Sequence, residues 1–192
     1  MSKGCEQLDI VRTWAMPNGN TFKIEPIRNL VRDCCREVGF DAVIVDPFAN
    51  MARYGTITND LNPEYDTDYH MDALEFLRTR ADEEADLVLY DPPYSITQAA
   101  QLYDSYGKEK LERSVSNMGY WAQCKNEVAR ITKYNGLVLC CGWNSNGCGI
   151  NRGFTLEHML IVAHGGSKND TIVTVERKTK RKQLKLFEKI SG

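Results

Sequence analysis

The sequence lacks the cysteine and apolar patterns that mark a disulfide framework, a structural zinc site or a membrane protein. Its seven cysteines are an odd number and include no Cys-x-x-Cys pair, so we expect reduced, buried thiols and no metal site. No apolar run approaches the roughly 18 residues that cross a bilayer, and the first residues lack the apolar core of a signal peptide. The sequence therefore predicts a cytoplasmic protein without a membrane partner.

An excess of either charge is also absent over the whole chain, but the charges are unevenly placed. With 24 Lys and Arg against 26 Asp and Glu, the net charge is −2. The segment 176–192 holds seven basic and two acidic residues, a net +5, so the remainder carries −7. We interpret 176–192 as a basic C-terminal tail that suits contact with a nucleic-acid backbone. A solvated, frayed terminal helix is the alternative.

The chain of 192 residues is the length of one domain, with residues 1–20 as an N-terminal lead-in. The sequence predicts helices over 26–39 and 120–134. It predicts strands over 41–46, 54–60, 87–90, 137–141, 159–163 and 171–175, and a strand end turning into a helix over 71–77. This alternation predicts an α/β fold with a mostly parallel sheet, closed by an antiparallel hairpin through 164–170.

Four aspartates stand where predicted strands end: Asp46, Asp60, Asp72 and Asp91. In open α/β sheets, ligands bind outside the carboxyl ends of the strands. Each aspartate alone is also typical of a turn or a helix cap. Their regular placement favours a binding site at one pole of the sheet.

The tetrapeptide Asp91-Pro92-Pro93-Tyr94 directly follows a buried-strand pattern. An exocyclic amino group on a flat base is a poor nucleophile until two acceptors draw its hydrogens out of the ring plane. The Asp91 side chain and the Pro92 carbonyl can be those acceptors, and Pro93 has no N–H to compete for that carbonyl. Tyr94 can stack on the base. We therefore predict Asp91, Pro92, Pro93 and Tyr94 as catalytic residues.

The tetrapeptide resembles the catalytic motif of amino-methyltransferases that use S-adenosylmethionine. From about Thr21 to Lys178, the chain resembles small, phage-encoded DNA adenine-N6 methyltransferases. The resemblance implies a Rossmann-like class I methyltransferase fold, with a seven-stranded sheet, a C-terminal antiparallel hairpin and flanking helices. It also implies double-stranded DNA as partner, with the target base flipped out, and protection of a viral genome in the host cytoplasm, as in restriction-modification.

The resemblance further implies which residues hold S-adenosylmethionine. Asp46 is expected to meet its ammonium group, Asp60 its ribose hydroxyls and Asp72 its adenine amino group. The full predicted set comprises Phe22, Lys23, Asp46, Pro47, Phe48, Ala49, Asn50, Asp60, Asp72, Ala73 and Asp91.

The sequence departs from the family in two places. The stretch 49–52 replaces the usual Gly-x-Gly after phenylalanine, but asparagine tolerates left-handed backbone, so we expect the turn at Asn50 to persist. No insertion is large enough for a separate target-recognition domain, and residues 95–118 are the candidate lid. Its expected DNA contacts, together with Tyr94, are Ser95, Gln98, Tyr103, Lys108, Lys110 and Arg113. Trp143 and Asn144 are weaker candidates for the target pocket.

Several alternatives stay open at the level of sequence. The tetrapeptide equally suits N4 of cytosine in DNA or an amino group in RNA. A nucleotide-binding oxidoreductase is disfavoured because the first turn lacks the glycine fingerprint for a pyrophosphate. An inactive regulator that binds nucleic acid is disfavoured by the intact tetrapeptide. The sequence predicts neither a recognition site nor an oligomeric state.

Overall fold

A computed structural model describes residues 8–94 and 118–180, which form a seven-stranded sheet with helices on both faces. The helices are α1 (Glu25–Val38), α2 (Ala73–Arg78) and α3 (Met118–Ile131), with short 3-10 turns at Thr21–Lys23 and Ile150–Arg152. The strands are β1 (Asp9–Trp14), β2 (Ile44–Asp46), β3 (Ile57–Thr58), β4 (Ala85–Tyr90), β5 (Thr132–Gly142), β6 (Phe154–Ala163) and β7 (Thr171–Lys178).

The strand order across the sheet is β1-β6-β7-β5-β4-β2-β3. Strand β7 runs antiparallel to both of its neighbours, β5 and β6, whereas the other neighbouring strands are parallel. This confirms the predicted Rossmann-like fold with a mostly parallel sheet and a C-terminal antiparallel hairpin. Parallel strands place their carboxyl ends at one edge of the sheet, which positions the ends of β2 and β4 side by side.

The central strand β4 shows why the sheet is buried on both faces. Its successive side chains point to opposite sides, so Val88 and Tyr90 pack with α2 and α3, while Leu87 and Leu89 pack with α1. All four are at most 1% exposed. Such a strand reads as a continuous apolar run, which is why it was predictable from the sequence.

Helix α1 agrees closely with its sequence prediction. Its buried side chains Ile27, Val31 and Cys34 recur at helical spacing and line one face. Proline lies in the first turn, and Gly39 caps the end with a φ of 97°. The residues that begin and end this helix are therefore visible in the sequence.

Part of the N-terminal lead-in forms a strand that the sequence did not predict. Residues Asp9 to Trp14 form β1, which pairs in parallel with β6 at the edge of the sheet. Five of its six residues are exposed and the other is half-buried. The chain here carries no buried apolar pattern, so an edge strand was not predictable from the sequence.

Two element boundaries also differ from the predictions. The predicted helix over 120–134 ends at Ile131, and the Asn135-Gly136 pair, predicted to separate helix from strand, lies inside β5. Asn135 has a φ of 66°, and the register between β4 and β5 shifts at this level, so the pair marks an irregularity in the strand. A third parallel strand before Asp72 is reduced to one isolated bridge between Asn59 and Tyr69.

The basic tail begins later than the sequence interpretation placed it. Glu176, Arg177 and Lys178 belong to β7, and two of them are buried: Glu176 is 3% and Lys178 4% exposed. The Lys178 ammonium donates to the Thr132 carbonyl. Residues 181–192 lie outside the described residues, and so does the candidate lid over 95–118 except for Met118, which begins α3. Within 8–94 and 118–180, no helix combines the length and apolarity that a bilayer span requires.

Candidate active site

A cleft of about 350 Å³ opens at the carboxyl ends of β2 and β4. That volume is in the range of small-molecule sites. Three stretches of chain line it, together with Asp60 and Tyr65: residues 18–22 before α1, residues 48–50 after β2, and residues 91–94 after β4. The sheet therefore brings the predicted cofactor and catalytic segments to one cavity.

The turn after β2 forms one part of the lining. Asn50 adopts left-handed backbone with a φ of 51°, so the turn persists without the family's glycines, as predicted. The Ala49 amide donates to the Asn59 carbonyl at 2.9 Å, which holds the turn against the chain after β3. Phe48, Ala49 and Asn50 all face the cleft.

Asp60 lies across this turn and is tied to it. One carboxylate oxygen accepts the Asn50 amide and the other accepts the Asn62 amide, each at 2.9 Å. Burial raises the pKa of Asp60, and these backbone donors partly counter that effect. A carboxylate has about four lone-pair directions, so Asp60, which the Leu61 amide also approaches, keeps capacity to accept a hydroxyl group from a ligand in the cleft.

Asp46 and Asp72 do not line the cleft. Asp46 is fully buried, one carboxyl oxygen accepts the Phe48 amide at 3.1 Å, and the other has no hydrogen-bond partner among the described residues. Burial raises the pKa of Asp46 well above its usual range, and repulsion from Asp91 and Asp60 raises it further. Because Asp46 lies outside the cleft lining, its pairing with an ammonium group stays a prediction.

Asp72 caps a helix, a role that competes with its predicted contact with adenine. It is the N-cap of α2, where its carboxylate accepts the Leu74 and Glu75 amides at 3.0 and 3.1 Å. Its other oxygen accepts the Tyr120 hydroxyl at 2.6 Å. Ala73 follows it into the helix and is buried. An aspartate directly before a predicted helix is also typical of an N-cap, so the sequence supported this role of Asp72 as well as binding of the cofactor.

Two further predicted cofactor residues also lie away from the cleft lining. Lys23 is exposed at the end of the 3-10 turn, and Pro47 is buried. The Pro47 carbonyl accepts the side-chain amide of Asn59 at 3.1 Å. Asn59 also exchanges hydrogen bonds with the Met71 backbone, so it links the turn after β2 to the segment before α2.

The predicted catalytic tetrapeptide reaches the cleft with all four residues. Asp91 is partly accessible yet deep enough that burial raises its pKa to about 6, while a hydrogen bond from Tyr94 acts in the opposite direction. The Tyr94 hydroxyl donates to the Asp91 carboxylate at 2.6 Å and lies 3.1 Å from the Thr21 hydroxyl. Tyr94 therefore points at Asp91 here, and the Tyr94 ring also meets Trp143 edge-on at 5.8 Å.

The wall before α1 was largely missed by the sequence analysis. Asn18, Gly19, Asn20 and Thr21 line the cleft beside the predicted Phe22. Asn20 is only 6% exposed, and its side-chain amide nitrogen has no partner among the described residues. A buried donor without an acceptor is costly, so this nitrogen is suited to an acceptor on a ligand. The Asn-Gly-Asn stretch is an ordinary turn pattern, which conceals this role.

Six of the predicted DNA contacts fall outside the described residues: Ser95, Gln98, Tyr103, Lys108, Lys110 and Arg113. Tyr94 is the remaining member of that set and lines the cleft. Trp143, proposed from the sequence as a weaker candidate, is 39% exposed next to Tyr94. The two aromatic rings lie at the same edge of the sheet.

No protein-family model matches the chain, and no curated protein matches it. Among solved structures, TrmN from Thermus thermophilus aligns with a TM-score of 0.53 at 14% identity, over 81% of this chain and 49% of TrmN. The chain thus spans about half the length of TrmN. The 1,6-didemethyltoxoflavin-N1-methyltransferase of Burkholderia thailandensis, with bound 1,6-didemethyltoxoflavin and S-adenosylhomocysteine, aligns with a TM-score of 0.50 at 13% identity, over 81% of this chain and 84% of that enzyme. At these identities the likeness concerns architecture alone, and the chain shares the Rossmann-like fold of these two structures.

Proposed function

We propose that the chain is an S-adenosylmethionine-dependent methyltransferase that acts on an exocyclic amino group of a nucleobase, with N6 of adenine in double-stranded DNA as the preferred acceptor. The observation that carries this proposal is the place of Asp91 to Tyr94. They follow β4 and line the same cleft as Phe48, Asn50 and Asp60. One cavity can thus hold a cofactor beside an acceptor.

The lining of the cleft fits S-adenosylmethionine. The remaining acceptor capacity of Asp60 suits a ribose hydroxyl, and the unpaired Asn20 amide suits a carboxylate. Support for this cofactor class comes from the Burkholderia methyltransferase, which binds S-adenosylhomocysteine on the same fold. When bound, the cofactor supplies an electrophilic methyl group on a positively charged sulfur.

Asp91 and the Pro92 carbonyl act on the amino group. With a pKa of about 6, the Asp91 carboxylate is mainly ionised at neutral pH. It accepts a hydrogen bond from one N–H of the amino group, and the Pro92 carbonyl accepts a hydrogen bond from the other. The incoming amine replaces the Tyr94 hydroxyl as donor to Asp91, which frees the Tyr94 ring to stack on the base. Holding the reacting atoms in line supplies much of the rate acceleration.

The acceptor is proposed to reach the cleft as a flipped-out base, since an amino group inside a duplex is inaccessible to such a site. The exposed Trp143 ring next to Tyr94 supports a stacked base at this position. Cytosine N4 and amino groups in RNA present the same two hydrogens, so they remain outcomes of the test.

The test incubates the protein with labelled S-adenosylmethionine and, in separate reactions, double-stranded DNA, single-stranded DNA and RNA. Mass spectrometry then identifies the modified nucleoside. We expect N6-methyladenine in DNA. Label in RNA alone would overturn the DNA assignment, and N4-methylcytosine would overturn the base assignment.

Two matched substitutions test the mechanism. Asp91→Asn should lower the rate at least about 100-fold, as removal of a transition-state contact does, while S-adenosylhomocysteine still binds. Asp86→Asn is the control, because Asp86 lies on the same strand but pairs with Lys133 away from the cleft. Wild-type activity in Asp91→Asn would refute the assigned role.

A further inference from the structure

Two thiols and a carboxylate from separate parts of the chain meet in the core on the side of the sheet that α2 and α3 cover. Cys140 is in β5, Cys148 follows that strand, and Glu176 is in β7. The two sulfur atoms are 3.8 Å apart, and ligand atoms of all three residues lie within 4.8 Å of one another. Each residue is at most 6% exposed. None of the three belongs to the cleft lining.

The spacing of the sulfur atoms suits a tetrahedral metal ion. Zinc–sulfur bonds of about 2.3 Å at tetrahedral angles place two sulfur atoms about 3.8 Å apart, which matches the separation of Cys140 and Cys148. The Glu176 carboxylate adds a third ligand atom within 4.8 Å of both sulfur atoms. Thiolates and carboxylates together are a donor set that zinc accepts.

The carboxylate of Glu176 is held in place by the backbone around it. Its two oxygens accept the Cys148 amide at 2.5 Å and the Gly149 amide at 2.9 Å. Gly147 has a φ of 48°, and a Cβ there would lie 2.1 Å from a Glu176 oxygen, so the chain wraps the carboxylate too closely for any side chain. Ligating carboxylates in metal sites are oriented by hydrogen bonds of this kind.

The charges around the three residues also suit a bound cation. Two thiolates, one carboxylate and a divalent ion sum to a single negative charge, and Lys125, whose ammonium donates to the Gly147 carbonyl, lies next to the group.

We propose that Cys140, Cys148 and Glu176 bind a thiophilic divalent cation, zinc, with water at the fourth coordination position. The ion links β5, β7 and the chain between them. That chain carries Trp143, which packs on Tyr94 at the cleft. Metal binding thereby stabilises the segment 143–149, and its chemistry is separate from methyl transfer.

The test begins with the wild-type protein, purified under reducing conditions and equilibrated with zinc at a low, chelator-buffered concentration. Elemental analysis should find roughly one zinc ion per chain. Substitution by Co²⁺ should give a thiolate-to-cobalt charge-transfer band in the near-ultraviolet. A wild-type chain that retains no zinc and gives no such band refutes the proposal, whatever its methyltransferase activity.

Variants locate the site. Cys148→Ser and Glu176→Gln should lose zinc and the cobalt band, whereas Cys34→Ser, a buried thiol on α1, should retain both. Equal zinc content in all three variants would refute the assignment of ligands. A wild-type chain whose intact mass shows a disulfide between Cys140 and Cys148, in place of a metal, would also overturn it.

Discussion

Replacing Asp91 with asparagine should make the protein more stable at neutral pH. Burial raises the pKa of Asp91 from 3.8 to about 6, so the folded protein holds this group in its charged form at a cost. At about 1.4 kcal/mol for each pKa unit, the cost is about 3 kcal/mol once the group is fully ionised. Asparagine is similar in shape, can still accept the Tyr94 hydroxyl, and carries no charge to bury.

The pH dependence follows from the direction of the pKa change. Between pH 3.8 and about 6 the folded state binds more protons at Asp91 than the unfolded state does. The free energy of unfolding of the wild-type protein therefore falls as the pH rises through this window. The variant lacks this loss. Its gain over wild type should therefore grow from about 1.5 kcal/mol at pH 5 to about 3 kcal/mol at pH 8.

Urea denaturation of both proteins at pH 5 and pH 8 measures the two differences, and other titrating groups cancel in the comparison. A gain that is the same at both pH values would refute the reasoning, as would a less stable variant at pH 8. We expect Asp91→Asn to lose methyl transfer and to have a larger free energy of unfolding. This combination is typical of a catalytic residue that lowers the stability of the protein.

Three further predictions concern the cleft. Tyr94→Phe removes a hydrogen bond that lowers the pKa of Asp91. The pKa of Asp91 should therefore rise above about 6 in a carbon-detected NMR titration, and an unchanged midpoint would contradict this. Asp60→Asn should weaken S-adenosylhomocysteine binding by about 10- to 100-fold in calorimetry, which is the affinity that hydrogen bonds to a charged group contribute. Asp72→Asn should change the affinity less than about threefold. Equal effects of the two substitutions would show that Asp60 does not bind the cofactor. At the left-handed Asn50, glycine should cost less than about 0.5 kcal/mol of unfolding free energy and valine about 1–2 kcal/mol; equal costs in urea denaturation would count against a strained turn.

The sequence was most informative where one face or both faces of an element are buried. Strand β4 and helix α1 were predicted almost to the residue, because Leu87, Leu89, Ile27 and Val31 give clear apolar patterns. Strand β1 was missed because its side chains are exposed and its strand character comes from pairing with β6, about 150 residues further along the chain. The residues around β1 in the sequence do not indicate that β6 pairs with it.

The site was predictable where a special backbone or a rare tetrapeptide was needed. Asn50 and Asp91 to Tyr94 were identified for those reasons, and the structure brings them to one cleft. The sequence could not distinguish Asp60, which faces that cleft, from Asp72, which caps a helix, since both are aspartates after a predicted strand. It also could not show that Cys140 and Cys148 lie side by side, because strand register and a bend in the chain create that contact.

The parallel pairing of β1 with β6 has a consequence for synthesis of the protein. Asp9 lies beside His158 in the sheet, so β1 is synthesised about 150 residues before the strand that pairs with it. Contacts this distant along the chain slow folding. Until they form, both strands present unpaired edges of the kind that recruit other chains. Deletion of the first 14 residues would leave the β6 edge permanently open, and aggregation during expression is the expected cost.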